Sequence, residues 1–365
     1  MGRKNTLIDA QNRLLIAASG TGGHLFPAIA TAEKLTDYHI EWLGVPDRLE
    51  TQLIPSLYPL HTIAVEGFQG RLGLGSARIL GRLLASSIFD VRKLLKQGRF
   101  QGVFTTGGYI AAPAIIAARS LGLPAILHES NALPGKVTRW FGPWCTQVAI
   151  GFEAAAQYLP KAKTVYTGTP VRSQFLTPQP LDLPIPENTP LILAMGGSQG
   201  AVRINQLVRQ CAPAWFDAGA TIVHLTGNND PEAENLKHPQ YFSMPFYDNM
   251  AGLLQRANLA ISRSGASALT ELAVTNTPAI LIPYPSAAED HQSFNAAVFT
   301  KVGAAFSYRQ SELNSESLAS KVLDLLGDSE QLSKMSDAAD RLAVNDSAER
   351  LAKLVRELLQ GIEHY

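Results

Sequence analysis

Apolar residues are arranged along the chain in two alternating ways. Short unbroken runs are followed by longer stretches in which apolar positions recur at spacings of three and four, so buried strands alternate with helices. Arg13 to Ala18 (RLLIAA) is a run of the first kind. It ends in Ser19-Gly20-Thr21-Gly22-Gly23-His24, and a helical stretch follows from Pro27 to Leu35. Leu191 to Met195 (LILAM) runs likewise into Gly196-Gly197-Ser198-Gln199-Gly200, before a helical pattern with Ile204, Leu207 and Val208 on one face. The unit of strand, glycine turn and helix thus occurs twice. Further strands are predicted at Gly102 to Thr105, Ala125 to His128, Ile222 to Leu225, Leu259 to Ser262 and Ala279 to Ile282. Strands alternating with helices in this way predict the α/β class with parallel sheets.

Between the two units, Thr167 to Pro190 carries Pro170, Pro178, Pro180, Pro184, Pro186 and Pro190 and holds neither a regular helix nor a central strand. It reads as the linker between two domains. Near the end, Ser347 to Ile362 places Ala348, Leu351, Leu354, Val355, Leu358 and Leu359 at spacings of three and four. That is an amphipathic helix in need of an apolar surface.

The length of 365 residues agrees with two domains, because single cores stop growing near roughly 250–300 residues. With 46% hydrophobic and 17% charged residues the chain is an ordinary globular one, outside the disordered range. The net charge of zero conceals an asymmetry. Residues 1–175 hold 18 Lys+Arg against 10 Asp+Glu, and the remainder 13 against 21. The first half therefore favours an anionic surface or substrate. Cys145 and Cys211 are the only cysteines and have no ligand spacing, which points to a reducing, cytoplasmic setting. Residues 1–12 are polar, without the apolar core of a secretory signal, and no apolar run approaches the ~20 residues that span a bilayer.

A glycine turn at a strand end lets backbone approach a phosphate, and the following helix offers unpaired N–H groups to it. A third such turn is Ser262-Arg263-Ser264-Gly265-Ala266-Ser267-Ala268-Leu269-Thr270-Glu271. There the amides of Ala266 to Leu269 suit a diphosphate and the Glu271 carboxylate suits a pair of ribose hydroxyls; the alternative for Glu271 is that it only complements its own helix dipole. His24 is a candidate general base, because an imidazole both takes up and releases a proton near neutral pH, the alternative being a helix cap or phosphate donor. His128-Glu129-Ser130-Asn131 gathers polar side chains at another strand end, and Glu129 joins His24 as a catalytic candidate. H-E-x-x-H, G-x-S-x-G and the Walker lysine are all absent, so no metal, zincin, hydrolase or P-loop NTPase reading arises, and no cofactor is expected. Gly67 to Arg99 interleaves Arg71, Arg78, Arg82, Arg92, Lys93, Lys96 and Arg99 with Leu72, Leu74, Ile79, Leu80, Leu83, Leu84, Ile88 and Phe89. This suits an anionic membrane surface, or else a domain helix with solvated arginines.

Read together, GTGGHLFPA (Gly20 to Ala28), TTGGYIAAP (Thr105 to Pro113), HESNALPG (His128 to Gly135), GTPVR (Gly168 to Arg172), GGSQGA (Gly196 to Ala201), SRSGASALTE (Ser262 to Glu271) and PYPSAAEDHQSFNA (Pro283 to Ala296) resemble one family. It is the peptidoglycan N-acetylglucosaminyltransferase family, which makes the final lipid-linked disaccharide precursor of the cell wall. The resemblance covers residues 14 to about 345. It implies the glycosyltransferase B fold, two Rossmann-like α/β domains with parallel sheets facing across a cleft, divided 1–170 and 171–345, with a helix at about 346–365 returning to the first domain.

The resemblance also implies ligands. UDP-N-acetylglucosamine would be held by Ser198, Tyr247, Ala266, Ser267, Ala268, Leu269, Thr270, Glu271, Gln292 and Arg172, with Thr21, Gly22, Gly23 and Asn131 from the other domain. Undecaprenyl-diphosphate-linked N-acetylmuramoyl-pentapeptide would meet Gly107, Gly108, Tyr109 and His128, together with Gly22 and Gly23. His24 would deprotonate the acceptor 4-hydroxyl for an inverting displacement, without metal and without nucleic acid. The setting would be peripheral, at the cytoplasmic face of the plasma membrane, among other cell-wall synthesis proteins. Ser130 stands where glutamine is usual, Thr169 where asparagine is usual, and Ala111-Ala112 where serine-glycine is common. Three alternatives stay open: a nicotinamide-dependent dehydrogenase using Glu41 for the ribose, a non-catalytic lipid-precursor binder, and a same-fold transferase with another lipid or glycan acceptor.

Overall fold

The strands are short and lie in two all-parallel sheets. The central strands, such as Leu191–Met195 and Ala279–Leu281, are apolar on both faces because helices cover both faces of a parallel sheet. The computed structural model describes residues 12–64, 74–197 and 200–361, with residues 74–83 described by backbone alone. In the first sheet β1 (Arg13–Ala17), β2 (His39–Gly44), β3 (Leu60–Thr62), β4 (Gly102–Thr105), β5 (Ala125–Glu129), β6 (Gln147–Ile150) and β7 (Thr164–Tyr166) take the order β3-β2-β1-β4-β5-β6-β7. In the second, β8 (Leu191–Met195), β9 (Thr221–Leu225), β10 (Tyr241–Met244), β11 (Leu259–Ser262), β12 (Ala279–Leu281) and β13 (Ala305–Ser307) take the order β10-β9-β8-β11-β12-β13. Leu14, Leu15, Ile16 and Ala17 in β1 and Leu191, Ile192, Leu193 and Ala194 in β8 are fully buried.

Both orders reverse direction at an interior strand pair, β1 beside β4 in one sheet and β8 beside β11 in the other. At such a reversal the loops leaving the two strands diverge and open a crevice at their carboxyl ends. The glycine turns picked out in the sequence follow these very strands.

The chain divides into two units, Met1–Pro170 with Asp346–Tyr365, and Val171–Asn345. In the first, α1 (Gly22–Glu33), α2 (Glu50–Leu53), α3 (Leu74–Gln97), α4 (Ala111–Ser120) and α5 (Lys136–Phe141) connect the strands. In the second, α6 (Val202–Asp217), α7 (Met250–Arg256), α8 (Ala266–Val274), α9 (His291–Val302), α10 (Ser315–Gly327) and α11 (Ser329–Asp340) do so. The last helix, α12 (Ser347–Gln360), packs Leu351, Ala352, Val355 and Leu359 into the α1 side of the first sheet's core. Burial of each Leu or Val contributes about 1.5–3 kcal/mol. Lys34 with Glu349 and Asp37 with Arg356 add ion pairs along that seam.

Two details depart from the sequence reading. The first helix begins at Gly22, not at Pro27, so both glycines lie in its first turn and Pro27 lies inside it. The proline-rich stretch is not a free linker beyond Pro170. Asn249 donates to Pro180 O, Gln255 to Thr177 O, and Arg256 to the carbonyls of Pro186, Glu187 and Thr189, strapping 175–189 onto α7. Both cysteines are buried and free, and burial pushes their thiols up to about 12.

Candidate functional site

At the reversal in the first unit, β1 leads into the first glycine turn and β4 into Thr106-Gly107-Gly108. The N–H groups of His24 and Leu25 both return to Thr21 O, so the amides of Gly22 and Gly23 form the open end of α1. His24 is half-buried and stands across from the second turn. Its Nδ1 lies 2.7 Å from Thr106 O, and Thr106 Oγ1 donates back to His24 O at 2.9 Å. A carbonyl only accepts, so Nδ1 carries the proton and Nε2 keeps its lone pair. Gly107 and Gly108 have φ of +93° and +75°, and a Cβ on either would touch the imidazole, at 3.6 and 3.8 Å. The positive φ, more than lack of room, is what favours glycine at both positions. Tyr109 beside them is exposed.

The end of β5 is built differently. Glu129 is buried, and its Oε1 accepts from Asn131 N and Nδ2 at 2.9 and 3.0 Å. Its Oε2 accepts from Gly135 N at 3.0 Å and Thr138 Oγ1 at 2.6 Å. Four hydrogen bonds saturate a carboxylate, so this one shapes the 131–138 turn and orients Asn131. His128 is fully buried, donates from Nε2 to Gly168 O at 2.9 Å, and is held below the ordinary imidazole pKa by burial. Ser130 Oγ is 3.5 Å from its Nδ1, and Thr169 lies against Gly151 at the same place.

In the second unit, Gly265 is the N-cap of α8 and supplies no side-chain cap. Leu269 N already bonds Gly265 O, leaving the amides of Ala266, Ser267 and Ala268 at the helix mouth. Thr270 Oγ1 turns back to Ala266 O. Glu271 stands one turn in, 3.8 Å from Arg172, whose guanidinium covers the Phe175 ring. Burial pushes the Glu271 carboxyl up to about 7 against the opposing pull of Arg172. Gln292 accepts from Tyr284 N through Oε1, which leaves its Nε2 end as the donor. Tyr247 donates its hydroxyl to Asp182. Ser198 lies outside the described residues, as do residues 1–11 and 65–73, the last including Arg71 and Leu72 of the basic stretch.

Several supports of the site carry no local signal in the sequence. Glu50, fully buried, accepts from Gly20 N and Val45 N and holds the first glycine turn. Arg263 reaches Ile282 O, Pro283 O and Gln310 Oε1 and lies over Tyr284, joining the third turn to the segment before Gln292. Glu41, the acid a dinucleotide site would use, is spent within its sheet on Arg13, His39 and His61. Among the described residues no group of three or more His, Cys, Asp or Glu is placed to hold a metal ion, and no helix is long and apolar enough to cross a membrane.

Comparison with known proteins agrees with this geometry. Residues 14–150 match the glycosyltransferase family 28 N-terminal domain and residues 191–351 the glycosyltransferase family 28 C-terminal domain. The fold and sites therefore define a two-domain glycosyltransferase of the B architecture. The chain belongs, more narrowly, to the UDP-N-acetylglucosamine--N-acetylmuramyl-(pentapeptide) pyrophosphoryl-undecaprenol N-acetylglucosamine transferase family. It is 69% identical to the Nostoc punctiforme member over 97% of this chain and 100% of that one, and 68% identical to the Trichormus variabilis member with the same coverage. The crystal structure of Acinetobacter baumannii MurG is 27% identical, with a TM-score of 0.75 over 95% of this chain and 99% of that one. The calicheamicin glycosyltransferase CalG4 shares the fold at 14% identity, with a TM-score of 0.71 over 96% of this chain and 99% of that one.

Proposed function

We propose that this enzyme transfers N-acetylglucosamine from UDP-N-acetylglucosamine to the 4-hydroxyl of N-acetylmuramic acid in undecaprenyl-diphosphate-linked muramoyl-pentapeptide, the step that completes the lipid-linked precursor of peptidoglycan. The names borne by the relatives at 68–69% identity support donor and acceptor. The observation that carries the chemistry is His24, whose protonated Nδ1 on Thr106 O leaves Nε2 basic. Nε2 takes the proton of the acceptor hydroxyl as its oxygen attacks the anomeric carbon from the side opposite UDP. The bond from that carbon to the diphosphate oxygen breaks and the configuration inverts. The leaving diphosphate is stabilised by the amides of Ala266 to Ala268 and by Arg172, fixed dipoles and charge aimed where negative charge develops.

In this reading the second unit holds the donor. Glu271 takes the ribose hydroxyls, Gln292 the sugar, and the Tyr247 segment with Ser198 the uracil and diphosphate. The first unit holds the acceptor diphosphate on Gly107, Gly108 and Tyr109, while Thr21, Gly22, Gly23 and Asn131 face the donor sugar. Glu129 acts through Asn131, and His128 through the Gly168 carbonyl. Attachment to the cytoplasmic membrane surface is carried by α3, where exposed Phe89, Lys93 and Lys96 follow one another at spacings of four and three on one face. Each cation near anionic lipid contributes about 1 kcal/mol.

The test is UDP release from UDP-N-acetylglucosamine with and without the lipid-diphosphate-linked muramoyl peptide. Release that requires this acceptor is the expected result. An intact donor, or equal release with an unrelated lipid acceptor, overturns the reading.

A further inference from the structure

A buried polar chain running from α6 to Thr226, just after β9, has no part in the chemistry above. Asp230 has a side chain with no exposure, and Arg209 has only 8%. Arg209 grips Asp230 with two nitrogens, Nη1 to Oδ2 at 2.7 Å and Nη2 to Oδ1 at 3.2 Å, and Nη2 also reaches Glu232 at 3.0 Å. Asn205, fully buried, uses its Nδ2 twice, toward Asp230 Oδ2 at 2.8 Å and Thr226 O at 2.9 Å. Its Oδ1 lies 3.0 Å from His224 Nε2, and His224 Nδ1 lies 2.6 Å from the Tyr241 hydroxyl.

Every orientation in this chain follows from one fact, that the Asp230 carboxylate accepts and never donates. Asn205 must then turn its NH2 toward Asp230 and Thr226 O, so its Oδ1 faces His224. His224 must in turn carry its proton on Nε2, and Tyr241 must donate to Nδ1. The far end of the chain is backbone. Gly200, at φ +75°, lies so close to the strand-end turn after β9 that a Cβ there would sit 2.2 Å from Thr226 O, the same oxygen that Asn205 holds. Asn205 N bonds Ala201 O in the first turn of α6, so the residue that holds Thr226 O sits one turn beyond Gly200.

A buried ion pair is a poor source of net stability, because desolvation consumes most of its attraction, and apolar residues of equal volume commonly do as well. What it supplies is one arrangement in place of several. We propose that Arg209 and Asp230 are positioning residues for donor binding. Through Asn205 they fix Thr226 O, and with it the backbone against which Gly200, the last residue of the glycine turn after β8, is set. This deepens the donor-site reading and depends on it.

The test replaces the pair by R209M/D230L and measures thermal stability, UDP-N-acetylglucosamine titration, and steady-state kinetics for both substrates. The melting temperature is expected to stay near that of the parent while donor Kd and donor KM rise about tenfold, kcat stays within about threefold and acceptor KM does not move. R209K keeps the charge but loses the fork, and is expected to give a smaller rise of about threefold in the same donor constants. Donor affinity within twofold of the parent in R209M/D230L overturns the proposal and leaves the pair a packing element. An equal rise in acceptor KM overturns it too. If R209M/D230L does not fold, R209K decides, and unchanged donor constants in it overturn the proposal. A parent protein that binds no UDP-N-acetylglucosamine defeats the donor-site reading itself, which is a distinct result.

Discussion

The two units solve one topological problem with opposite chemistry. Each reverses its strand order beside a glycine turn. In the first unit the crevice side of the turn is occupied by a side chain, the His24 imidazole laid against Gly107 and Gly108 with its tautomer set by Thr106 O. In the second, the corresponding place is bounded by backbone amides, Arg172 and the half-buried, raised carboxyl of Glu271. A crevice that presents a basic nitrogen suits proton removal, whereas one lined by N–H dipoles and a guanidinium suits a diphosphate. The shared fold thus fixes where ligands meet the chain, and the residues after each strand decide which ligand and which step.

This contrast breaks most visibly at His24. His24→Ala is expected to lower kcat at least about 100-fold while UDP-N-acetylglucosamine affinity, measured by titration, stays within about twofold. A comparable loss of donor affinity would place the imidazole in the binding of donor and dissolve the division of labour. Glu271→Ala is the mirror experiment. Donor Kd is expected to weaken about tenfold or more with acceptor KM unchanged, because buried ribose hydroxyls lose their acceptor. Equal weakening of both substrates removes the ribose role. A smaller effect separates placing the base from being the base. Thr106→Val deletes the hydroxyl that donates to His24 O but leaves the carbonyl that fixes Nδ1, and kcat is expected to fall only about three- to tenfold, the worth of one hydrogen bond.

Much of this frame is legible in the sequence, and the reason is local. The strands are continuous apolar runs, the turns announce themselves by glycine, and α12 repeats Leu351, Val355 and Leu359 on one face. The unreadable part is long-range. Glu129 looks like a free acid at a strand end until its carboxylate is seen spent on Asn131, Gly135 and Thr138. Glu50 gives no sign in the sequence that it ends fully buried holding Gly20, nor Asp230 that its carboxylate is enclosed by Arg209 and Asn205, and the partner of His128 is a carbonyl 40 residues away. The proline-rich stretch reads as a linker because proline excludes helix and strand, yet Gln255 and Arg256 tie it down through carbonyls, which proline still has. The substrates came from resemblance to a family. Apolar periodicity and turn chemistry yield only a phosphate-handling α/β enzyme.

The smallest expected effect concerns the raised carboxyl that the second unit sets beside Arg172. Glu271 has its carboxyl raised to about 7 from an ordinary 4.5, chiefly by burial. Between these values the folded chain keeps a proton that the unfolded chain has lost. The stabilisation linked to that proton is complete below pH 4.5, declines as pH rises, and is gone above about 7. Above that point the fold carries a desolvated carboxylate that Arg172 offsets only in part. Glu271→Gln keeps the shape and removes the charge, so the variant is expected to melt a few degrees above the parent at pH 8, with the gap narrowing toward pH 5. Melting curves across this range check it, and a gap that does not change with pH would mean the carboxylate is already fully compensated by Arg172. In that case the raised carboxyl would no longer mark out the second unit, and the electrostatic half of the contrast would be lost.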